Sequence, residues 1–238
     1  MAMVILGAGG GLGKALTNAL TAEYPEETIV TVSRQVLKSS DERVWHIQVK
    51  DYSEAALHTV VSDFKSQGFQ LTGLISTIGM LHDEETFPEK KLGDLNEANL
   101  RKLFEVNAIQ PIFSLKAFSP MLDRKYTKFW VQLSAKVGSI EDNYLGGWYA
   151  YRASKAALNM LLKSASIELK RTHKRLVVAA IHPGTTDTAL SKPFQNRIPE
   201  GKLYTPEMSA KRIIKVIKGI QPENTGKLWH WDGTELSY

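Results

Sequence analysis

No cysteine occurs among the 238 residues, which excludes disulfides, thiolate metal sites and cysteine nucleophiles and is compatible with a reducing compartment. No apolar run approaches the roughly 18 residues of a membrane span, and no two histidines have the spacing of a metal site. Internal repeats, low-complexity tracts and Gly/Ser-rich linkers are missing, so the chain reads as one domain over residues 1–238. A first strand beginning by Met3 leaves no room for a leader segment, and the expected location is cytoplasmic.

What is present supports a sizeable core, since 43% of the residues are hydrophobic. The net charge of +5 would suit a polyanionic partner. The densest basic group, Lys170-Arg171 with Lys174-Arg175, falls at the end of a helical pattern, where cations complement the helix dipole. No nucleic-acid or membrane partner is therefore expected.

Short apolar runs alternate with helical patterns, which predicts parallel strands joined by crossover helices. The expected strands are residues 3–6, 28–33, 44–48, 71–76, 128–134, 175–181 and 227–231. Several, such as Val4-Ile5-Leu6 and Leu176-Val177-Val178, do not alternate with polar residues, as suits a sheet covered on both faces. The predicted fold is a Rossmann-type, doubly wound, seven-stranded parallel sheet in a three-layer α/β/α arrangement. Residues 96–124 can form a long helix that Pro111 and Pro120 should kink or end. Residues 182–201 lack clear periodicity and read as a substrate loop.

Directly after the first strand comes Gly7-Ala8-Gly9-Gly10-Gly11-Leu12-Gly13, leading into a helix. Glycines permit the tight turn and let a ligand approach the backbone, and the helix start offers free N–H groups to phosphate. NAD-binding folds place an acid about 20 residues on, against the ribose hydroxyls. That region reads Thr31-Val32-Ser33-Arg34-Gln35, with no acid. Arg34 can instead pair with a 2′-phosphate, which favours NADP(H).

Tyr151 and Lys155 stand four apart in a helical segment and share a face. A nearby ammonium should lower the tyrosine pKa and make it a usable acid or base. Tyr149, the rival, meets Ala153 four residues on and has no cation there. His173 and His182 read as ordinary surface or loop residues, and Trp148, Phe194 and Tyr204 as either cavity lining or simple packing.

Together these residues resemble the short-chain dehydrogenases/reductases over nearly the whole chain. The resemblance rests on Gly7-x3-Gly11-x-Gly13, Asn107, Ser134 at a strand end, Tyr151-x3-Lys155 and Pro183-Gly184. Residues 136–155 further resemble the C-factor and sniffer-type carbonyl reductase branch. The resemblance implies that Tyr151 protonates the carbonyl oxygen in reduction, that Lys155 lowers its pKa and binds the ribose, and that Ser134 polarises the carbonyl. It implies that Asn107 holds a water linking Lys155 to solvent. For the cofactor it implies contacts from Gly7, Gly9, Gly10, Gly11, Leu12, Gly13, Ser33, Arg34, Asp51, Gly79, Tyr151, Lys155, Pro183, Gly184, Thr186 and Thr188, and backbone contacts from Ile181.

Three departures from the family pattern stand out. Ser76-Thr77-Ile78-Gly79 replaces Asn-Asn-Ala-Gly, leaving Ser76 to supply the lost hydrogen bonds. Gly10 stands where many NADP-preferring members carry a base, so cofactor choice rests mainly on Arg34. The gap between Ser134 and Tyr151 is long, with Glu141-Asp142-Asn143 inside it. The expected activity is NADPH-dependent reduction of an aldehyde or ketone by a homodimer or homotetramer. The alternatives are oxidation of a secondary alcohol in reverse, or a slow-turnover nucleotide-binding signalling protein.

Overall fold

A computed structural model describes residues 1–238. In chain order its elements are β1 (Ala2–Leu6), α1 (Gly11–Glu23), β2 (Thr28–Ser33), β3 (Val44–Gln48), α2 (Glu54–Ser66) and β4 (Leu71–Ser76). Then follow α3 (Glu97–Phe104), α4 (Gln110–Phe118), β5 (Phe129–Leu133), α5 (Tyr149–Lys170) and β6 (Val177–His182). The chain closes with β7 (Thr185–Thr186), β8 (Leu203–Tyr204), α6 (Pro206–Gly219), β9 (Leu228–His230) and β10 (Glu235–Leu236).

The main sheet has the order β10-β9-β6-β5-β4-β1-β2-β3. Its seven expected strands all run parallel, and an eighth, β10, pairs antiparallel with β9 at the edge. With two residues and no apolar run, β10 carries no signal that sequence reading could use. The apolar strand runs are explained by two cores, one on each face. Val4, Leu6, Val30, Leu74, Trp130 and Val178 face α2, α4 and α5, whereas Ile5, Ile29, Ile75, Val131 and Ile181 face α1 and α6. Alternate side chains along a strand point to opposite faces, so a strand apolar throughout serves both.

Residues 182–201 are less irregular than expected. Thr185 and Thr186 pair with Leu203 and Tyr204 in a small parallel sheet, and Lys192–Arg197 form a short 3₁₀ helix. In the 96–124 stretch, Pro111 falls at the start of α4 and Pro120 in a closing 3₁₀ turn, as their missing N–H groups require. Between α3 and α4 the backbone widens into a π turn over Glu105–Ile109, closed by the Gln110 N–H donating to the Glu105 carbonyl. Such turns recur at functional sites, and this one holds Asn107 at its centre.

Candidate active site

The break in strand order falls between β1 and β4, where the chain returns to the middle of the sheet and winds the other way. In open α/β sheets the crevice outside the carboxyl ends of the strands at this point is where ligands bind. The residues expected to bind cofactor or substrate lie along that edge or on the segments rising from it. Gly7 follows β1, Ser33 ends β2 and Arg34 follows it, Asp51 follows β3, Gly79 follows β4, Ser134 follows β5, and Pro183-Gly184 follow β6.

At the β1 end the backbone dictates the glycines. Gly7 adopts φ +80°, a left-handed conformation, and a Cβ there would lie 2.5 Å from Thr77 Oγ1. A Cβ on Gly13 would stand 2.6 Å from the Gly7 carbonyl and 2.7 Å from Ala8 Cα, so helix and turn pack closely only with glycine. Gly10 caps α1 without any side-chain hydrogen bond, leaving the first-turn N–H groups to be satisfied from outside the helix. Thr77 Oγ1 donates to the Leu6 and Gly7 carbonyls at 3.1 and 3.0 Å, while buried Ser76 accepts from Ile78 N. The replacement for the missing asparagine is thus shared, with Thr77 rather than Ser76 tying β4 to the turn.

Arg34 is exposed, with its backbone carbonyl accepting from Gln48 Nε2 at 3.3 Å. Gln35 reaches back over the turn, its Oε1 within 3.3 Å of where a Gly9 Cβ would be. Asp51 accepts from the Ser53 N–H at 2.9 Å, and hydrogen bonds from the Ser53 side chain and backbone hold its pKa below the usual range. Thr188, though distant in sequence, brings its Cγ2 within 3.1 Å of a Gly11 Cβ position. Thr186 bonds Ser209 on α6 at 2.8 Å.

The β4–β6 end is closed. Asn107, Ser134, Tyr151 and Lys155 are all buried, the most exposed being Tyr151 at 7%. Tyr149, by contrast, is 37% exposed, which separates the two tyrosines. Asn107 Oδ1 accepts from Met80 N at 2.7 Å, and its Nδ2 donates to the Met80 carbonyl at 2.8 Å and to Ser154 Oγ at 3.0 Å. Ser154 in turn donates to the Tyr151 carbonyl at 2.9 Å. Asn107 therefore ties the β4 loop to the second turn of α5. Lys155 Nζ donates to the Leu133 carbonyl at 3.2 Å and lies 5.9 Å from the Tyr151 ring centre. Ser134 donates to Asn159 Oδ1 at 2.7 Å.

The electrostatics here differ from the sequence-based expectation. Burial pushes the Tyr151 phenol upward rather than Lys155 drawing it down. Burial also lowers Lys155 to about 8, because each group loses the water that would stabilise its charged form. Tyr151 is thereby held as a phenol, a proton donor, throughout the neutral range.

Sequence reasoning missed several participants. Glu89 is buried and caps α5 from afar: its carboxylate accepts from Ala150 N at 3.2 Å and its carbonyl from Trp148 N at 2.6 Å. An anion at a helix N-terminus is favourable, but no local pattern links residues sixty positions apart. His182 is not a loop residue: it ends β6, its Nδ1 is buried without a partner, and its pKa is lowered to about 3 by burial and then by the neighbouring His230. Tyr204 is packing. It meets Trp231 edge to face and lies under the Arg212 guanidinium beside Gly184, where a Cβ would meet Trp231 at 2.8 Å.

Trp148 and Phe194 do meet at the site. From Tyr151 the rings run to Trp148 (6.1 Å), Phe194 (5.1 Å), and then His82 and Phe87 (5.6 and 5.8 Å). This wall joins three segments that no spacing rule connects. Trp148 adopts φ 51° after two left-handed glycines, Gly146 and Gly147, which turns it back over the start of α5.

A nicotinamide dinucleotide fits these residues. The first turn of α1 is uncapped, and Cβ atoms at Gly11 and Gly79 would press on Thr188 and on Lys155 Nζ at 3.1 and 3.2 Å. Those glycines keep the cleft open at both ends.

Fold and site define a dinucleotide-binding oxidoreductase of the α/β type. The chain belongs to the short-chain dehydrogenase family, whose model matches residues 1–198. A 1-hydroxy-2-glutathionyl-2-methyl-3-butene dehydrogenase of a Rhodococcus strain is 30% identical over 186 residues, covering 78% of this chain and 76% of that protein. The C-signal protein of Myxococcus xanthus is 33% identical over 147 residues, 62% of this chain and 83% of its own. Among solved structures, the carbonyl reductase Sniffer of D. melanogaster superposes with a TM-score of 0.84 at 22% identity, over 100% of this chain and 99% of that one. An NADPH-bound carbonyl reductase from chicken fatty liver reaches 0.83, also at 22% identity, over 100% and 98%. C-signal and Sniffer are the branch that residues 136–155 resemble.

Proposed function

We propose that this protein reduces an aldehyde or ketone to an alcohol at the expense of NADPH. The observation that carries the reading is the burial of Ser134, Tyr151, Lys155 and Asn107 together beside an uncapped glycine turn. When bound, the nicotinamide supplies a hydride to the carbonyl carbon. Tyr151 gives its phenolic proton to the carbonyl oxygen; burial keeps that proton on the phenol until a base develops on the substrate. Lys155, cationic below about pH 8, draws charge toward the phenolate that proton loss leaves behind. Ser134 orients and polarises the carbonyl. Asn107 holds the β4 loop and α5 in register around this pair and is placed to support a water between Lys155 and solvent.

Cofactor contacts are assigned to residues 7 and 9–13, Ser33, Asp51, Gly79, Pro183, Gly184, Thr186 and Thr188, with Arg34 on a 2′-phosphate. The aromatic wall of Trp148, Phe194, His82 and Phe87 favours a carbonyl carried on an apolar or flat group. We read residues 1–238 as one domain with a substrate segment at 182–201. A homodimer or homotetramer would cover Ile109, Met160 and Ile167, which stand exposed on the π turn before α4 and on α5. A cytoplasmic setting, where NADPH is kept reduced, completes the reading. Alcohol oxidation in reverse uses the same residues, and a relative named as a dehydrogenase keeps it in view.

The test is a panel of aldehydes and ketones followed at the NADPH absorbance and repeated with NADH. Turnover of apolar carbonyls with NADPH preferred is expected. Equal or better use of NADH would overturn the role given to Arg34.

A further inference from the structure

Carbonyl polarisation requires Ser134 to donate its only proton to the substrate oxygen. In the structure that proton is committed elsewhere. Ser134 Oγ donates to Asn159 Oδ1 at 2.7 Å, with Ser134 5% and Asn159 2% exposed. Asn159 lies four residues beyond Lys155 and eight beyond Tyr151 on α5, the same face of the helix, one and two turns on. Its other terminal atom, Nδ2, is buried with no hydrogen-bond partner. A buried N–H left unpaired is among the costlier defects a folded protein carries.

One rotation gives Nδ2 a partner and frees the serine proton, leaving Oδ1 as the unpaired atom. Turning the Asn159 amide by half a revolution exchanges Oδ1 and Nδ2. Nδ2 then donates to Ser134 Oγ, and the serine proton is released toward the cleft. Ser134 Oγ can take either role, since a hydroxyl is both donor and acceptor. Only a side-chain amide offers both ends of the bond in the same shape. Aspartate ionised can only accept, and leucine can do neither.

We infer that Asn159 is a positioning residue that sets the direction of the Ser134 hydroxyl: with Nδ2 toward Ser134 it holds the serine as a donor to the substrate oxygen, and with Oδ1 toward Ser134 it withdraws that donor. Asn159 touches neither substrate nor cofactor and acts through Ser134 alone. The inference rests on the reductase reading above.

The experiment uses the NADPH-loaded protein with an apolar ketone that the wild type reduces. Asn159→Leu, Asn159→Asp, Ser134→Ala and the Ser134→Ala/Asn159→Leu double variant are compared, with melting and NADPH binding as checks on folding. Asn159→Leu should lower kcat roughly 10- to 100-fold with NADPH affinity unchanged. In the Ser134→Ala background the same replacement should cost nothing further, because residues acting as a unit are not additive. Asn159→Asp should add an ionisation to the pH profile of kcat, active on the acid side where the protonated carboxyl can donate to Ser134 and inactive where it is ionised. A side chain serving only to pack would give additive losses and no such limb.

Wild-type kcat in Asn159→Leu, or a loss that adds in full to that of Ser134→Ala, overturns the inference. Should the leucine variant not fold, the near-isosteric aspartate decides alone: a pH profile of wild-type shape overturns the inference. The two readings fail differently. If Ser134→Ala and Tyr151→Phe both reduce the ketone at the wild-type rate, the catalytic roles given to Ser134 and Tyr151 fall and take this role with them. If they are crippled and the Asn159 variants are not, only the present inference falls.

Discussion

The two ends of the cleft are built from different materials. At the β1–β3 end the groups facing it are backbone amides and side chains open to water, such as Arg34, with Asp51 only half-buried. At the β4–β6 end they are polar side chains shut away from water and bonded to one another: Asn107 to Ser154, Ser134 to Asn159, Lys155 to a strand carbonyl. The first end can change its side chains with little effect on the fold, because its shape resides in the backbone. The second cannot, because its polar groups are buried and most are bonded to another element, so replacing one shifts stability in one direction or the other.

Lysine 155 should show this contrast most strongly. Lys155→Met is expected to lower reduction by about 10³-fold, within the range for loss of acid–base machinery. The same change should raise the stability of the cofactor-free protein. Burial sets the folded pKa near 8 against an ordinary 10.5, so between those values the unfolded chain binds more protons and stability rises with pH. The cost is fully present below about pH 8 and gone above about 10.5. Thermal melting at neutral pH should therefore show a gain of about 1–3 kcal/mol that disappears on the alkaline side. A lower melting temperature would break the comparison.

Gly13→Ala tests the opposite end, where backbone should matter most. Its Cβ would stand 2.6 Å from the Gly7 carbonyl, and a loss of about 1–3 kcal/mol is expected together with weakened NADPH binding, read by denaturant melts and cofactor fluorescence. The smallest structural effect should come from Arg34→Ala. It should raise KM for NADPH by roughly 10-fold while leaving KM for NADH unchanged, with stability altered by less than about 0.5 kcal/mol. A change in melting beyond that would show that the open end is more tightly built than its exposure indicates.

The same contrast explains what was legible in the sequence. The glycine turn announces itself because a backbone requirement leaves a residue-type signature at fixed spacing, and the strand runs do so because a sheet covered on both faces must be apolar throughout. Tyr151 and Lys155 were readable from their i, i+4 spacing. The partners that complete the closed end were not: Glu89 reaches α5 from a distant loop, Ser154 and Asn159 look like ordinary helix residues, and Phe194 meets Trp148 only in space. Burial reversed one expectation outright, raising the Tyr151 pKa where the neighbouring ammonium was expected to lower it. His182 likewise ceased to be a loop residue once β6 was seen to run through it. Strand β10 and the small β7–β8 sheet, two residues per strand, fall below what periodicity can register.

The most direct test of the account is Tyr151→Phe, which removes one oxygen atom and leaves the ring in its contacts with Trp148. With NADPH and an apolar ketone, kcat should fall by about 10²- to 10⁴-fold while NADPH binding and melting temperature stay at wild-type values. Reduction at the wild-type rate by the phenylalanine variant would contradict the account, since no other group has been assigned the transfer of a proton to the carbonyl oxygen.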